Sequence, residues 1–176
     1  LVDKQGGIKK SANWYRNNVQ SMADKFTARK LMNQGRLIGS PSGGRLNMFF
    51  YDPKGKKKLP YYDTFPLVLP LESIKGGFMG MNFHYLPYML RFKLLERMQK
   101  FSTGGFDRMT RFDANYDDVK KIGLVRPTIK KYLYNHVQSR FLRIDFDEAV
   151  LAAYLPVQQF KKAGTSKVWS DSRRMI

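Results

Sequence analysis

The residues whose chemistry is easiest to interpret are the lysines of one short turn. The sequence has DPKG at residues 52–55, a strong turn signal because proline and glycine favour chain reversal. Four lysines fall within five residues there, namely Lys54, Lys56, Lys57 and Lys58. Ammonium groups at the tip of a hairpin favour contact with phosphate groups. A solvated turn that keeps an edge strand from aggregating is an equally simple interpretation.

A second candidate site is a basic amphipathic helix near the start of the chain. Ser11 is a suitable N-cap, and the pattern predicts a helix from there to about Asn33. Its apolar face has helical spacing and consists of Tyr15, Val19, Met22 and Phe26. The cations of this helix that we expect to contact anions are Arg16, Arg29 and Lys30. The apolar face fits three roles: packing on the chain's own core, docking in a partner's groove, or binding an anionic membrane.

The carboxylates offer a weaker hypothesis, a metal-dependent nuclease. Two acidic clusters occur, the first made of Asp113, Asp117 and Asp118 and the second of Asp145, Asp147 and Glu148. Such clusters bind divalent ions in nucleases. The usual pattern of an acid followed by an acid-x-lysine pair on adjacent strands is missing, however. Favourable negative charge at helix N-termini explains both clusters equally well.

The two histidines lack the spacing of metal ligands. His84 lies between Phe83 and Tyr85, so we expect a hydrogen-bonded histidine in the core. His136 lies in a basic segment, and we expect it to be exposed. Aromatic pairs at 49–50 and 61–62, and Phe83 with Tyr85, could stack on bases, although alternation along a strand places at least half of such side chains inside.

The overall charge calls for a negatively charged partner. The chain has 32 Lys and Arg against 14 Asp and Glu, a net charge of +18 in 176 residues. Self-repulsion on this scale favours binding to nucleic acid, an anionic membrane or acidic protein chains. Cysteine is absent, which excludes disulfides and thiolate metal sites. No apolar run approaches the roughly 20 residues that span a bilayer.

These residues must be positioned by an α+β fold. We predict a small aromatic-rich β barrel or curled sheet in the centre, with the basic helix before it and further helices after it. Prolines mark the central strands as edge or bulged strands. The predicted strands are 45–51, 59–62, 65–72, 78–86 and 141–146, and the later helices begin at Pro87, Asp113 and Pro127.

The chain divides into four predicted parts. A basic arm and helix occupy residues 1–38, and a linker rich in glycine and serine occupies 39–44. The α+β core domain then spans 45–160. Residues 161–176 form a polar, extended tail that is pinned at most by Val168 and Trp169.

Several segments resemble virion structural proteins of T-even-type tailed bacteriophages. The similar segments are NWYR at 13–16, YDPK at 51–54, LPYYDTFPL at 59–67, GFMGMNFHYLP at 77–87, and LPV at 155–157 through VWSDS at 168–172. The resemblance covers most of the chain and brings no catalytic residue with it. It implies either a tail or baseplate component or a DNA end protector at the head vertex.

We therefore expect a non-enzymatic structural component of a phage virion, in the tail, baseplate or head–tail region, whose basic surface faces DNA or acidic neighbour chains. The alternative is a DNA-binding end protector at the head vertex. The resemblance implies a virion that is assembled in the host cytoplasm. Expected partners are other virion proteins and, where the basic surface serves nucleic acid, double-stranded DNA. We expect no cofactor, metal, small-molecule substrate or membrane.

Overall fold

An open antiparallel sheet organises the described part of the chain, which is residues 27–105 and 107–176 of a computed structural model. In chain order the strands are β1 (Leu37–Ile38), β2 (Leu46–Met48), β3 (Tyr62–Asp63), β4 (Leu67–Ile74), β5 (Gly77–Asn82), β6 (Ser102–Thr103), β7 (Arg111–Phe112), β8 (Ile129–Leu133), β9 (Phe141–Ile144) and β10 (Phe160–Lys161). Six of them form one sheet in the order β1-β9-β2-β4-β5-β8, while β3 pairs with β10 and β6 with β7. The predicted α+β class is confirmed, and the sheet is open rather than a closed barrel.

The helices cover one side of this sheet. They are α1 (Ala28–Gln34), α2 (Tyr88–Met98), α3 (Tyr116–Val119), α4 (Ala149–Tyr154) and α5 (Thr165–Met175). The predicted apolar face of α2 is confirmed, since Leu94, Leu95 and Met98 are buried in the main core. Short 3-10 turns occur at Phe83–Tyr85, Gln99–Phe101, Gly123–Thr128, Tyr134–His136 and Phe146–Glu148.

Both faces of the sheet are buried. Along β4, Leu67 and Leu69 enter the main core, whereas Val68 enters a second, aromatic cluster, as alternation along a strand requires. In that cluster the ring of Phe49 lies 4.9 Å from Phe141 and 5.3 Å from Tyr132. Such tilted and edge-to-face pairs stabilise the cluster beyond the burial of their apolar area.

The prolines of β4 act as predicted. Pro70 lies inside a central strand, and the register with β5 shifts between Pro70 and Glu72, which is a β-bulge. Pro70 lies opposite Gly80. A Cβ atom at Gly80 would lie 2.5 Å from Val68 Cγ1, so only glycine allows the two strands this approach.

Two predicted elements after β7 are wrong. The segment after Pro127 is strand β8, paired with β5, and not a helix. Ile129 and Leu133 satisfy both a helical and an alternating pattern, and pairing with β5 decides between them. Residues 165–175 form helix α5 and not an extended tail. Val168 and Trp169 do fix this segment, because Val168 is fully buried and the Trp169 indole donates to the His84 carbonyl at 2.9 Å.

The predicted helix from Ser11 to Asn33 is also wrong as a single helix. Thr27 has an extended backbone and caps α1 by accepting a hydrogen bond from the Lys30 N–H. Residues 28–38 belong to the core and not to a separate arm, since Met32 is buried and β1 pairs with β9. The residues predicted to form the apolar interface, and Arg16, lie outside the described part of the chain.

Candidate nucleic-acid interface

The predicted lysine turn forms and is exposed. Lys54, Lys56, Lys57 and Lys58 all lie on the surface, in a turn closed by the bond from Lys58 N–H to the Gly55 carbonyl at 2.9 Å. Lys56 contacts Asp52 at 2.8 Å, and this hydrogen bond raises the pKa of the Lys56 ammonium. The role of these four lysines in binding anions stays a prediction.

The side chain of Lys162 stabilises this turn. Its ammonium group donates to three backbone carbonyls of the turn region, those of Lys56, Lys57 at 3.1 Å and Leu59 at 2.9 Å. The backbone of Lys162 has a φ of 68°, in the left-handed region that lysine rarely adopts. The carbonyl contacts explain why this conformation persists at that position.

Strand pairing brings further cations to the turn. Lys161 pairs with Tyr62 in the short β3–β10 ladder, next to the segment that follows the turn. We call the resulting patch the lysine surface; it consists of Lys54, Lys56, Lys57, Lys58, Lys161 and Lys162. Asp52 is the acidic residue bound within it. Separate ammonium groups on long stems suit contacts with phosphates that do not depend on base sequence.

A buried polar network holds β3 beneath the lysine surface. Asp63 is 4% exposed and accepts from Asn82 at 3.1 Å and from the N–H of Phe65 at 3.0 Å. His84 Nδ1 lies 2.8 Å from Asp63, which confirms the predicted core histidine. Burial lowers the pKa of His84, so the neutral ring donates through Nδ1. Burial opposes ionisation of Asp63, but the interaction with His84 and the hydrogen bonds from Phe65 and Asn82 together lower its pKa.

Arg91 connects this network to the helices. It is fully buried and donates to the carbonyls of Leu86 at 2.7 Å and Ala153 at 2.9 Å. Its guanidinium lies 4.6 Å from the ring centre of Tyr88 and 5.6 Å from that of Trp169. Burial lowers the pKa of Arg91 to about 10, so it remains a cation at neutral pH.

A second group of cations gathers around one carboxylate. Arg36 Nη1 lies 3.2 Å from Asp145 Oδ2, and Arg143 Nε lies 3.1 Å from Asp145 Oδ1. Arg45 Nε lies 3.8 Å from the same Oδ1 atom. We call these three arginines with Asp145 the arginine cluster. Burial, followed by the nearby charges of Arg111 and Arg143, lowers the pKa of Arg45.

The other predicted site residues are distributed as follows. Arg29 and Lys30 are exposed on α1, whose Leu31 lines a pocket with Leu142 and Leu151. Of the aromatic residues considered for base stacking, Phe49, Phe83 and Tyr85 are buried, while Phe50, Tyr61 and Tyr62 are partly buried. His136 is partly buried rather than exposed, because its ring bonds the Asp52 carbonyl at 2.9 Å.

The acidic clusters have structural contacts. Asp117 bonds Lys120, Asp118 forms a capping box with Asn115, and Asp145 belongs to the arginine cluster. Within residues 27–105 and 107–176, no group of three His, Cys, Asp or Glu side chains is arranged to hold a metal ion. The described helices include none that is long and apolar enough to cross a bilayer.

A family comparison favours one of the alternatives that the sequence left open. The family model described as phage T4 terminal DNA protecting protein matches residues 4–172. The chain belongs to this family. No curated protein and no solved structure matches it. Membership of the terminal DNA protecting family confirms the resemblance to T-even-type phage proteins and favours the end-protector alternative over the tail or baseplate interpretation.

In this chain, sequence reasoning found part of the cationic surface and missed the rest. It identified the four lysines of the turn but neither Lys161 nor Lys162, although their adjacency was a usable signal. The arginine cluster gave no local signal, since Arg36 and Asp145 are 109 positions apart.

Proposed function

We propose that this protein binds the ends of linear double-stranded DNA in a phage particle and shields them, without catalysing a reaction. The observation that carries the proposal is the match to the terminal DNA protecting family across residues 4–172. The net charge of +18 supports it, because a surface of this kind binds the phosphate backbone strongly.

The lysine surface supplies the general affinity for duplex DNA. Its lysines are exposed, and only Lys56 among them has a described acidic partner, Asp52. The ammonium of Lys162 differs in that it bonds backbone carbonyls of the turn. Each ammonium that reaches a phosphate releases a condensed counterion, so binding weakens steeply as salt rises. Lys162 keeps the turn in one shape while DNA binds.

The non-enzymatic part of the proposal is supported by how the candidate catalytic groups are used. Asp63 and His84 bond each other inside the core, and Asp117 and Asp145 contact cations. Incubation with DNA and magnesium or manganese should therefore release no cleavage products. Cleavage that Asp117→Asn or Asp145→Asn abolishes would contradict this part of the proposal.

Assembly into the virion is assigned to the amphipathic segment at residues 11–26. Its apolar positions, Tyr15, Val19, Met22 and Phe26, suit seating in the groove of another virion protein. Deletion of residues 1–26 tests this better than deletion of 1–38, because residues 28–38 contribute to the core. The shortened protein should keep its fold and fail to join the particle. Loss of the fold would assign the segment to the core instead.

Protection of DNA ends by the purified protein is the direct test. Linear duplex DNA is incubated with a double-strand exonuclease, with and without the protein, and the length of the surviving DNA is measured. Closed circular DNA of the same sequence serves as competitor. The protein should preserve the ends, and linear DNA should compete better than circular DNA at equal mass. Equal competition by the two forms would contradict end binding.

A further inference from the structure

The arginine cluster has more positive charge and more hydrogen-bond donors than its own residues use. Arg36, Arg45 and Arg143 lie within ion-pair distance of Asp145. Arg111 is near enough to lower the pKa of Arg45. The acidic groups in contact are Asp145 itself and Glu148, which accepts from the Asp145 N–H at 3.3 Å. Cations therefore outnumber carboxylates at this place.

Two donors in the cluster lack a hydrogen bond. The Nε groups of Arg45 and Arg143 are buried and have no hydrogen-bond partner among the described residues, and the same is true of Asp145 Oδ1. Arg45 is 5% exposed, so water does not satisfy it freely. Both charges face Asp145 Oδ1, but a buried donor that makes no hydrogen bond remains costly. An anion with several oxygens that accepted from these arginines would remove that cost.

The cluster is accessible from outside. The side chain of Arg36 is 60% exposed and that of Arg143 is 27% exposed, whereas Arg45 is buried. A pocket of about 300 Å³ is lined by Arg36 and Arg143, by the acidic residues Asp145 and Glu148, and by an apolar wall that includes Leu31 and Leu155. A small ligand in this pocket can therefore reach the guanidinium groups of Arg36 and Arg143.

We propose that the arginine cluster binds a phosphomonoester, and that on DNA this group is the phosphate at a strand terminus. The assignment to DNA rests on the proposed function. Several planar guanidinium groups that converge on one point match the oxygens of a phosphate better than separate ammonium groups do. A terminal phosphomonoester carries up to two negative charges, and the internal diesters carry one each. The cluster can thereby distinguish an end from the interior of a duplex.

Binding of inorganic phosphate tests the site without DNA. Isothermal titration calorimetry in chloride at constant ionic strength should show saturable binding to the wild-type protein. Arg36→Gln should weaken it by about tenfold, since Arg36 is the exposed member and its loss leaves the core intact. The matched control is Arg97→Gln, which removes an exposed cation from α2 and should change nothing. Absence of binding to wild type, or equal loss in the control, would overturn the proposal.

Arg143→Lys separates geometry from charge. The lysine keeps the positive charge in β9 but lacks the planar fork of donors. Phosphate affinity should fall in this variant although the net charge is unchanged. Circular dichroism and thermal melting establish that the variant is folded. Wild-type affinity in a folded Arg143→Lys protein would reduce the site to a general electrostatic attraction and contradict the assignment.

DNA ends identify the source of the phosphate. Short duplexes are compared that have 5′-phosphate, 3′-phosphate or hydroxyl ends, with closed circular DNA as reference. Wild type should prefer one phosphorylated end by about tenfold, and Arg36→Gln should lose that preference while its affinity for circular DNA falls no further than that of Arg97→Gln. If ends are preferred regardless of phosphate, this inference is wrong and the proposed function stands. If ends are not preferred at all, the proposed function fails with it.

Discussion

The lysine surface and the arginine cluster use positive charge in different ways. The lysines are exposed and separate, so each can reach any nearby phosphate with little demand on geometry. The arginines converge on Asp145, with Arg45 at 5% exposure, so a ligand must fit their arrangement. Under the two proposals made above, the net charge of the chain serves two tasks, affinity for DNA in general and selection of a particular phosphate.

The largest expected effect is a loss of DNA affinity when the lysine surface is removed. Replacing Lys54, Lys56, Lys57 and Lys58 with Gln should weaken binding to duplex DNA on the order of a hundredfold at low salt. The slope of log K against log salt should fall by about 3 to 4, because up to four phosphate contacts disappear. Fluorescence anisotropy over a salt series measures both quantities.

The control for this variant removes the same charge elsewhere. Lys75, Lys93, Lys121 and Lys131 are exposed lysines from other parts of the described chain, and all four are replaced with Gln. The preference for phosphorylated over hydroxyl ends should persist in both quadruple variants. An equal change of the salt slope in both variants would show that DNA affinity depends on net charge and not on where the lysines lie.

The second effect has opposite signs for binding and stability. Asp145→Asn should raise the affinity for inorganic phosphate by about tenfold, because the carboxylate no longer competes for the guanidinium groups. The same change should lower the melting temperature by roughly 2–4 °C for each kcal/mol lost, since Arg45 loses its counter-charge. Calorimetry measures the phosphate affinity, and thermal melting measures the stability. A loss of both binding and stability would make the cluster purely structural.

A smaller effect concerns the support of the lysine turn. Lys162→Met removes the ammonium that bonds the carbonyls of Lys57 and Leu59 and leaves the exposed lysines of the turn in place. Because the turn then samples more conformations, DNA affinity should fall about threefold, well below the effect of the quadruple variant. Hydrogen exchange of the Lys58 and Leu59 amides should accelerate. Unchanged exchange would show that Lys162 does not hold the turn.

The sequence predicted local features well and distant ones poorly. The turn at 52–55, the bulge at Pro70 and the face of α2 depend on neighbouring residues, and all three formed. Helix α5 was missed because its residues are mostly polar and its stability comes from the contact of Trp169 with the carbonyl of His84, far away in sequence.

The cationic sites show the same difference between local and distant features. The four clustered lysines were visible in sequence, whereas Lys162 reaches carbonyls more than 100 positions away. The arginine cluster likewise joins residues at 36 and 45 to residues at 143 and 145, through the pairing of β9 with β1 and β2. Strand order determines that proximity, and strand order cannot be deduced from one sequence.

The smallest expected effect is a pH dependence of stability that differs between the lysine surface and the arginine cluster. The pKa of His84 is lowered in the folded protein, so below about pH 6.5 the unfolded chain binds a proton that the folded one does not. Stability should fall by at most about 1.4 kcal/mol per pH unit from that pH downward, and in stronger acid also as Asp63 is protonated. Hydrogen exchange at pH 5.5 should rise in β3 before it rises in β9. The reverse order would show that the Asp63–His84 pair does not stabilise β3, the strand next to the lysine surface.

Arg91 has a consequence for synthesis of the protein on the ribosome. Its guanidinium is covered on one side by Trp169 and bonded on another to the carbonyl of Ala153. Both partners are translated long after Arg91, and α5 is the last of the described elements in chain order. A nascent chain that ends before α5 therefore leaves a cation uncovered in what becomes the interior. Folding around Arg91 is therefore completed only after α5 has been synthesised.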